Sequence, residues 1–234
     1  MHESTPLLCT SYLPPIAYMA VLANHSSAII ERCETYPKQT LRNRCVIATA
    51  NGVLPLTVPV VRINGNHTVT GDIQISCHEH WQTMHWRAIC SAYNAAPYFQ
   101  YYKDPLQRVF ATRYLRLLDL NQEGLSVLLK MLKIECNIGV SKDFCPIATE
   151  EQGSDDNRSC TPTTASPRQE NEITDLRNEF SIKKRYSKIT FPQYYQVFDS
   201  KLGFVPNLSI LDLIFNMGPE AKAYLQQLHP PREW

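Results

Sequence analysis

Short apolar runs and helical spacings alternate along the first sixty residues of the chain. LLCTSY over 7–12 predicts a strand. Behind it, LPPIAYMAVLANHS sets Ile16, Met19, Ala20 and Ala23 at helical spacing after a proline pair suited to a first helical turn. SAIIERC over 27–33 predicts a second strand. Strand, helix, strand is the pattern of a βαβ unit, with parallel strands and a right-handed crossover. Two β-branched runs then flank Asn51-Gly52 in LRNRCVIATANGVLPLTVPVV, 41–61, which predicts a β-hairpin. Pro55 and Pro59 interrupt its return strand, and proline has no N–H for a ladder. A loop of about four residues would turn the missing donors away from the partner, so 53–61 is expected as an edge or bulged strand.

From His80 the period changes. HWQTMHWRAICSAYNAAPYF carries Trp81, Met84, His85, Ala88 and Ile89 on one helical face and should end before Pro97. A second helix is expected over DPLQRVFATRYLRLLD, 104–119, and a third in QEGLSVLLKMLK with Asn121 as its N-cap. IECNIGVS, 134–141, predicts a strand. Residues 146–175 are rich in Ser, Thr, Pro, Asp, Glu and Asn and almost without aromatics, the composition of a disordered insertion. Beyond it, Leu208, Leu211, Leu213, Ile214 and Phe215 crowd a helix ending near Gly218, and a short helix follows Pro219. The expected fold class is therefore α/β: an opening βαβ unit and hairpin with a helical flank over 1–145, the insertion, and a C-terminal helical segment over 176–234 packing on the same domain.

Composition narrows the function. A formal net charge of +1 provides no field toward nucleic acid or an anionic surface, so no nucleic-acid partner is expected. No segment approaches the roughly 18 apolar residues of a membrane span. The first twenty residues lack a basic stretch followed by an unbroken apolar one, so no export signal is expected and the compartment is read as cytoplasmic. The eight cysteines include no C-x-x-C pair, which fits reduced, buried thiols better than a zinc site or a disulfide framework.

Phosphate loops and the G-x-S-x-G elbow are absent. His78, Glu79, His80 and His85 are the densest group of metal-type ligands, but His80 and His85 are five apart and do not share a helix face, so no metal is expected. His85 lies between Trp81 and Trp86 on the apolar side, where both ring nitrogens need partners. The start of the first helix could bind an anion, which brings Thr10, Ser11, Tyr12 and Tyr18 to the carboxyl end of the first strand. Asn43 and Arg44 are polar residues placed just ahead of a run that should be buried. Arg42 or Arg44 read alone could be solvated surface charge, and Lys183, Lys184, Arg185 and Lys188 read as a solvated flank.

SYLPPIAYMAVL, LRNRCVIATANG with LTVPVV, HWRAICSAYNAAPYFQYY and GFVPNLSILDLIFNMGPEA, in that order, resemble the WbqC-like family of bacterial proteins. The family's proline-rich opening falls on Ser11 through Tyr18, with Ser11 and Ala17 departing from the usual residues; its Asn-Arg pair falls on Asn43 and Arg44. Trp81, His85, Tyr93, Tyr98 and Phe99 match its helix block, and Asn207, Ser209 and Asp212 match near the end. The opening also resembles, faintly, nucleotidyltransferases with an H-x-G-H helix start, though no histidine lies between His2 and His25. Membership implies a place in O-antigen or other surface-polysaccharide synthesis, with transfer of glycine or another aminoacyl group onto a sugar as the proposed role. The substrate would be a small molecule, a nucleotide sugar or an activated amino acid; the cofactor is unknown. On that reading His85 serves as base, Arg44 holds a phosphate or carboxylate, and Asp212, if it reaches the same cleft, orients the imidazole or binds hydroxyls. Ser11, Tyr12, Tyr18, Asn43, Tyr93 and Asn207 then complete the substrate site. The alternative is a non-catalytic binding or scaffolding protein of the same pathway.

Overall fold

The computed structural model describes residues 4–76, 80–145, 173–180 and 189–228. The first strand, β1 (Thr5–Cys9), is buried along its whole length. A strand covered on both faces needs no polar alternation, hence its continuous apolar run. It ends before Thr10, earlier than the run suggests, because Tyr12 turns away and donates its N–H to Leu41 O at 2.9 Å. In α1 (Ile16–Ala23) residues Ile16 through Leu22 are all buried, as expected of a helix apolar all round. β2 (Ser27–Glu31) then lies parallel to β1, with Leu7 opposite Ile29. The expected βαβ unit is present.

The hairpin pairs β3 (Arg44–Thr49) with β4 (Gly52–Thr57) in a register that sets Thr49 against Gly52 and Val46 against Pro55. The turn is thus two residues, Ala50-Asn51, shorter than expected, with Gly52 (φ 112°) carrying the positive φ. Val58 N–H donates to Asn43 O at 2.8 Å, which makes that pair hydrogen-bonded. By strict alternation Val46/Pro55 is then a non-hydrogen-bonded pair, so Pro55 breaks no ladder bond. The missing donor does point away; a shift of register achieves it, without a longer loop.

A small pair, β5 (Val60–Val61) with β6 (Gln74–Ile75), leads into α2 (Trp81–Tyr93) and α3 (Phe99–Ala111). α3 starts earlier than expected, with Pro105 inside it. An interior proline costs about 3 kcal/mol. The helix accepts it because Phe99, Leu106, Val109 and Phe110 are buried, each worth about 1.5–3 kcal/mol. The chain breaks at Thr112, and α4 (Leu117–Leu132) begins four residues ahead of Asn121. Asn121 is therefore no cap; it lies inside α4, 3% exposed. After β7 (Asn137–Val140), residues 146–172 of the expected insertion lie outside the described residues, as do Lys183, Lys184, Arg185 and Lys188. The insertion's last three positions form β8 (Ile173–Asp175), which pairs parallel with β1. α5 (Asp199–Leu202), α6 (Ile210–Met217) and α7 (Ala221–Gln227) complete the described elements.

The main sheet is parallel throughout, in the order β7-β2-β1-β8. The starts of α1 and α6 close each other. Ile16 N–H donates to Leu208 O (3.1 Å) and Ala17 N–H to Asn207 Oδ1 (2.9 Å); in return Ile210 N–H donates to Pro14 O (2.8 Å) and Ser209 Oγ to Leu13 O (3.0 Å). Ser209 N–H reaches the free side of β3 at Val46 O, 2.8 Å. At the other end of α6, Gly218 (φ 55°) lies so close to the Tyr98 ring that a Cβ would come within 2.5 Å of it. Gly218→Ala is expected to lower unfolding free energy by about 2–4 kcal/mol, strain and overpacking together. Gly203→Ala, with positive φ but open space around it, should cost about 1–2 kcal/mol in the same denaturant titration.

Candidate functional site

Open parallel sheets bind ligands outside their carboxyl ends, where the strand order reverses. Here the chain steps from β1 through β2 to β7 and then returns to the other side of β1 with β8, so the reversal lies between β1 and β8. Two arginines at this end are fully engaged. Arg177 holds Asp175 through Nε and Nη2 (Nη2–Oδ2 2.6 Å) and reaches Glu31 at 3.5 Å. Arg42, 2% exposed, forks onto Glu34 at 2.7 and 2.8 Å. Arg42 is thus a buried half of an ion pair and not surface charge.

Arg44 is different. Its Nε donates to Thr57 Oγ1 at 2.9 Å, and it forms no ion pair among the described residues. The same threonine offers its backbone carbonyl to His85. The other side of the imidazole, Nδ1, lies 2.9 Å from Tyr12 Oη, with Trp81 edge-on to both rings. Burial drives the Tyr12 pKa well above 10, so the phenol keeps its proton and donates it to Nδ1. A chain of contacts thus runs from the loop after β1 (Tyr12) through α2 (His85) to the hairpin (Thr57, Arg44).

Around it several buried polar atoms have no hydrogen-bond partner among the described residues: Ser11 Oγ, Asn43 Oδ1 and Asn121 Oδ1. Their residues are otherwise tied down. Asn43 Nδ2 donates to Val58 O (2.9 Å), and Asn121 Nδ2 donates to Arg42 O (2.8 Å) and Thr10 Oγ1 (3.0 Å). An unmet buried polar atom costs about 1–3 kcal/mol, so each of these three is a candidate for an atom that a ligand satisfies.

The remaining predicted residues lie elsewhere. Tyr18 Oη donates to Cys9 O (2.9 Å), fixing the end of β1 from within the core. Asn207 uses its amide oxygen on α1. Asp212, 1% exposed, accepts from Tyr194 Oη at 2.6 Å and Gln196 Nε2 at 2.8 Å, with Tyr93 beside it. No bond joins Asp212 to His85, and Tyr93 stands eight residues further along α2, about 12 Å of helical rise. The carboxylate does not orient the imidazole. Burial raises the Asp212 pKa while the Tyr194 and Gln196 hydrogen bonds pull it back. A groove of about 560 Å³ at the amino end of β7, lined by Leu125, Leu129, Lys133, Ile134 and Ile138, holds none of the unpartnered atoms.

The model of the WbqC-like protein family matches residues 10–224, beginning just after β1 and spanning the hairpin, α2 and α6 together. The chain belongs to the WbqC-like family. It is 29% identical over 230 residues to Uncharacterized protein Rv1507c of Mycobacterium tuberculosis (strain ATCC 25618 / H37Rv), covering 96% of this chain and 98% of that protein. No solved structure matches. Among the described residues of this WbqC-like protein no helix is long and apolar enough to cross a membrane, and no group of three His, Cys, Asp or Glu could hold a metal ion. His78 and Glu79 lie outside the described residues.

Within the family's Asn-Arg pair, Asn43 was legible as a polar residue ahead of a buried strand; Thr57 and Asn121 were not, since their roles depend on partners distant in sequence. Burial lowers the His85 pKa to about 4, with the Thr57 carbonyl opposing that shift. At neutral pH the ring is uncharged, accepting at Nδ1 and carrying its proton on Nε2. Its folded pKa lies below the unfolded value of 6.5, so stability is complete above pH 6.5 and falls as pH drops toward 4. The loss is about 3 kcal/mol. In urea titrations at pH 7 and 4.5, His85→Gln should lose about 2–3 kcal/mol less than wild type between the two. An equal loss in both proteins would mean that the imidazole titrates normally.

Proposed function

We propose that this protein is a transferase of bacterial surface-polysaccharide assembly, moving an aminoacyl group such as glycyl from an activated donor to a sugar. Arg44 carries the reading: a half-buried guanidinium bonded through Nε to Thr57 Oγ1, in no ion pair among the described residues, and next in the chain to Asn43, whose buried amide oxygen has no partner there. A donor's phosphate-bearing leaving group would take the two remaining nitrogens as a bidentate fork. In the transfer the acceptor's amine or hydroxyl bonds to the acyl carbon, the bond to the leaving group breaks with its electron pair, and the acceptor's proton passes to water.

His85 serves here as a positioning residue. A base is most effective when its pKa lies near the working pH, and an imidazole near 4 with both nitrogens engaged is a poor one. What it supplies is rigidity, holding Tyr12 and Thr57, and through Thr57 the arginine. That same engagement favours a second reading, a protein of the pathway that binds the donor without turning it over. Incubation with sugar nucleotides and glycyl donors, read by mass spectrometry, separates the two. Transfer is expected with wild type and a loss of about tenfold or more with Arg44→Ala. Equal product from both would remove Arg44 from the site; donor binding that needs Arg44 with no product in any mixture would establish the binding reading.

A further inference from the structure

Glu31, at the end of β2 and fully buried, gathers two cysteines from distant parts of the chain. Its Oε1 accepts the Cys33 N–H at 2.7 Å and its Oε2 the Cys145 N–H at 3.0 Å. Ser141 Oγ also donates to Oε1 (2.6 Å) and accepts from the Arg32 N–H (3.0 Å), and the Ser141 N–H donates to Ile30 O (3.0 Å). The chain leaving β2 is thereby fastened to the chain leaving β7. The Cys33 thiol points across the same junction, donating from Sγ to Lys142 O at 3.4 Å. Burial opposes the Glu31 charge, but the Ser141, Cys145 and Cys33 donors and the Arg177 guanidinium outweigh it and hold the pKa below the ordinary carboxylate value. The carboxylate is therefore charged at neutral pH and the junction is closed.

Both thiols are free and half-buried, open to a small reagent. Cys9 and Cys45, by contrast, are buried outright, and burial pushes their thiols up, away from the reactive thiolate. A disulfide bridges Cα atoms about 4.4–6.8 Å apart and forms without strain where the backbones are already held at that scale. Cys33 and Cys145 meet that condition, their amides resting on the two oxygens of one side chain. We propose that Cys33 and Cys145 form a reversible disulfide by exchange with a low-molecular-weight disulfide. One protein thiolate attacks the small disulfide, making a mixed disulfide and expelling a small thiolate. The second attacks the protein sulfur of that bond, closes Cys33–Cys145 and expels the other small thiolate. The protein gives up two electrons and two protons, and the small disulfide leaves as two thiols. The bond closes 33–145 into a loop that contains Arg44, Thr57 and His85, so oxidation braces the elements around them whatever they bind.

Incubation of the full chain with oxidised glutathione in native buffer, then alkylation of the remaining thiols, digestion and mass spectrometry, tests it. The chief product should be the Cys33–Cys145 peptide pair within one chain, reversed by dithiothreitol. Cys33→Ser and Cys145→Ser should each stop at a mixed disulfide between the remaining thiol and glutathione. The ratio of bridge to mixed disulfide in wild type should fall about tenfold or more in concentrated urea, where the Glu31 junction is lost. The bridged protein should also melt a few degrees or more above the reduced one, as an unstrained disulfide requires. Cross-links from Cys33 or Cys145 to any other cysteine, or mixed disulfides on both with no bridge, would overturn the pairing. So would a bridge as abundant in urea as in native buffer, or one that lowers the melting temperature, since either means that the folded chain does not hold the two thiols together.

Discussion

The first amides of α1 are already spent. A helix start at the carboxyl end of a central parallel strand is the usual anion seat of an α/β protein, because its N–H groups lack intrahelical partners. Here Leu208 O and Asn207 Oδ1 fill those positions, brought from nearly two hundred residues away by a loop in which Asn207 takes a positive φ of 54°. The closure is mutual, since the loop before α1 caps α6 in turn and Ser209 grips β3. It joins the two ends of the described chain and the hairpin in one interaction. It also occupies the first two amides of α1, so an anion at this end is left to side chains.

That constraint explains how the arginines are divided. Arg42 and Arg177 are buried with carboxylates that offset their desolvation, and they hold the loops after β2 and β8 in place. Arg44 is half-buried, anchored by a neutral acceptor, and keeps its charge available. Arg44 is aimed by a relay of neutral contacts, Tyr12 to His85 to Thr57, in which the low pKa of the imidazole keeps the relay uncharged. An imidazolium there would add a second positive charge and would leave Tyr12 without an acceptor.

Much of the fold was legible in the sequence because it rests on local period: the buried run of β1, the apolar helix behind it, and the hairpin. The errors have physical causes. Pro105 looked like a helix start because its cost is local, while the burial that outweighs it is tertiary. Asn121 looked like a cap because asparagine usually is one; its long-range bonds to Thr10 and Arg42 hold it inside α4. β8 lay hidden in a polar stretch, three residues long, with β1 as its strand partner. At the site, Ser11, Tyr12, Asn43, Arg44 and His85 were legible as polar residues where burial was expected. Cys33 and Cys145 were not legible as a pair, because the carboxylate they share is a property of the packed chain. Asp212 was placed with His85 on family position, yet the fold sets them in separate clusters.

The division between a closed helix start and an available guanidinium can be read directly by nuclear magnetic resonance. A sugar nucleotide titrated into isotope-labelled protein should shift the Arg44 Nε–H signal and the backbone amides of Ser11 and Asn43, while the Ile16 and Ala17 amides stay fixed by Leu208 and Asn207. Movement of Ile16 and Ala17 with Arg44 unmoved would contradict it, placing the anion on the start of α1 instead.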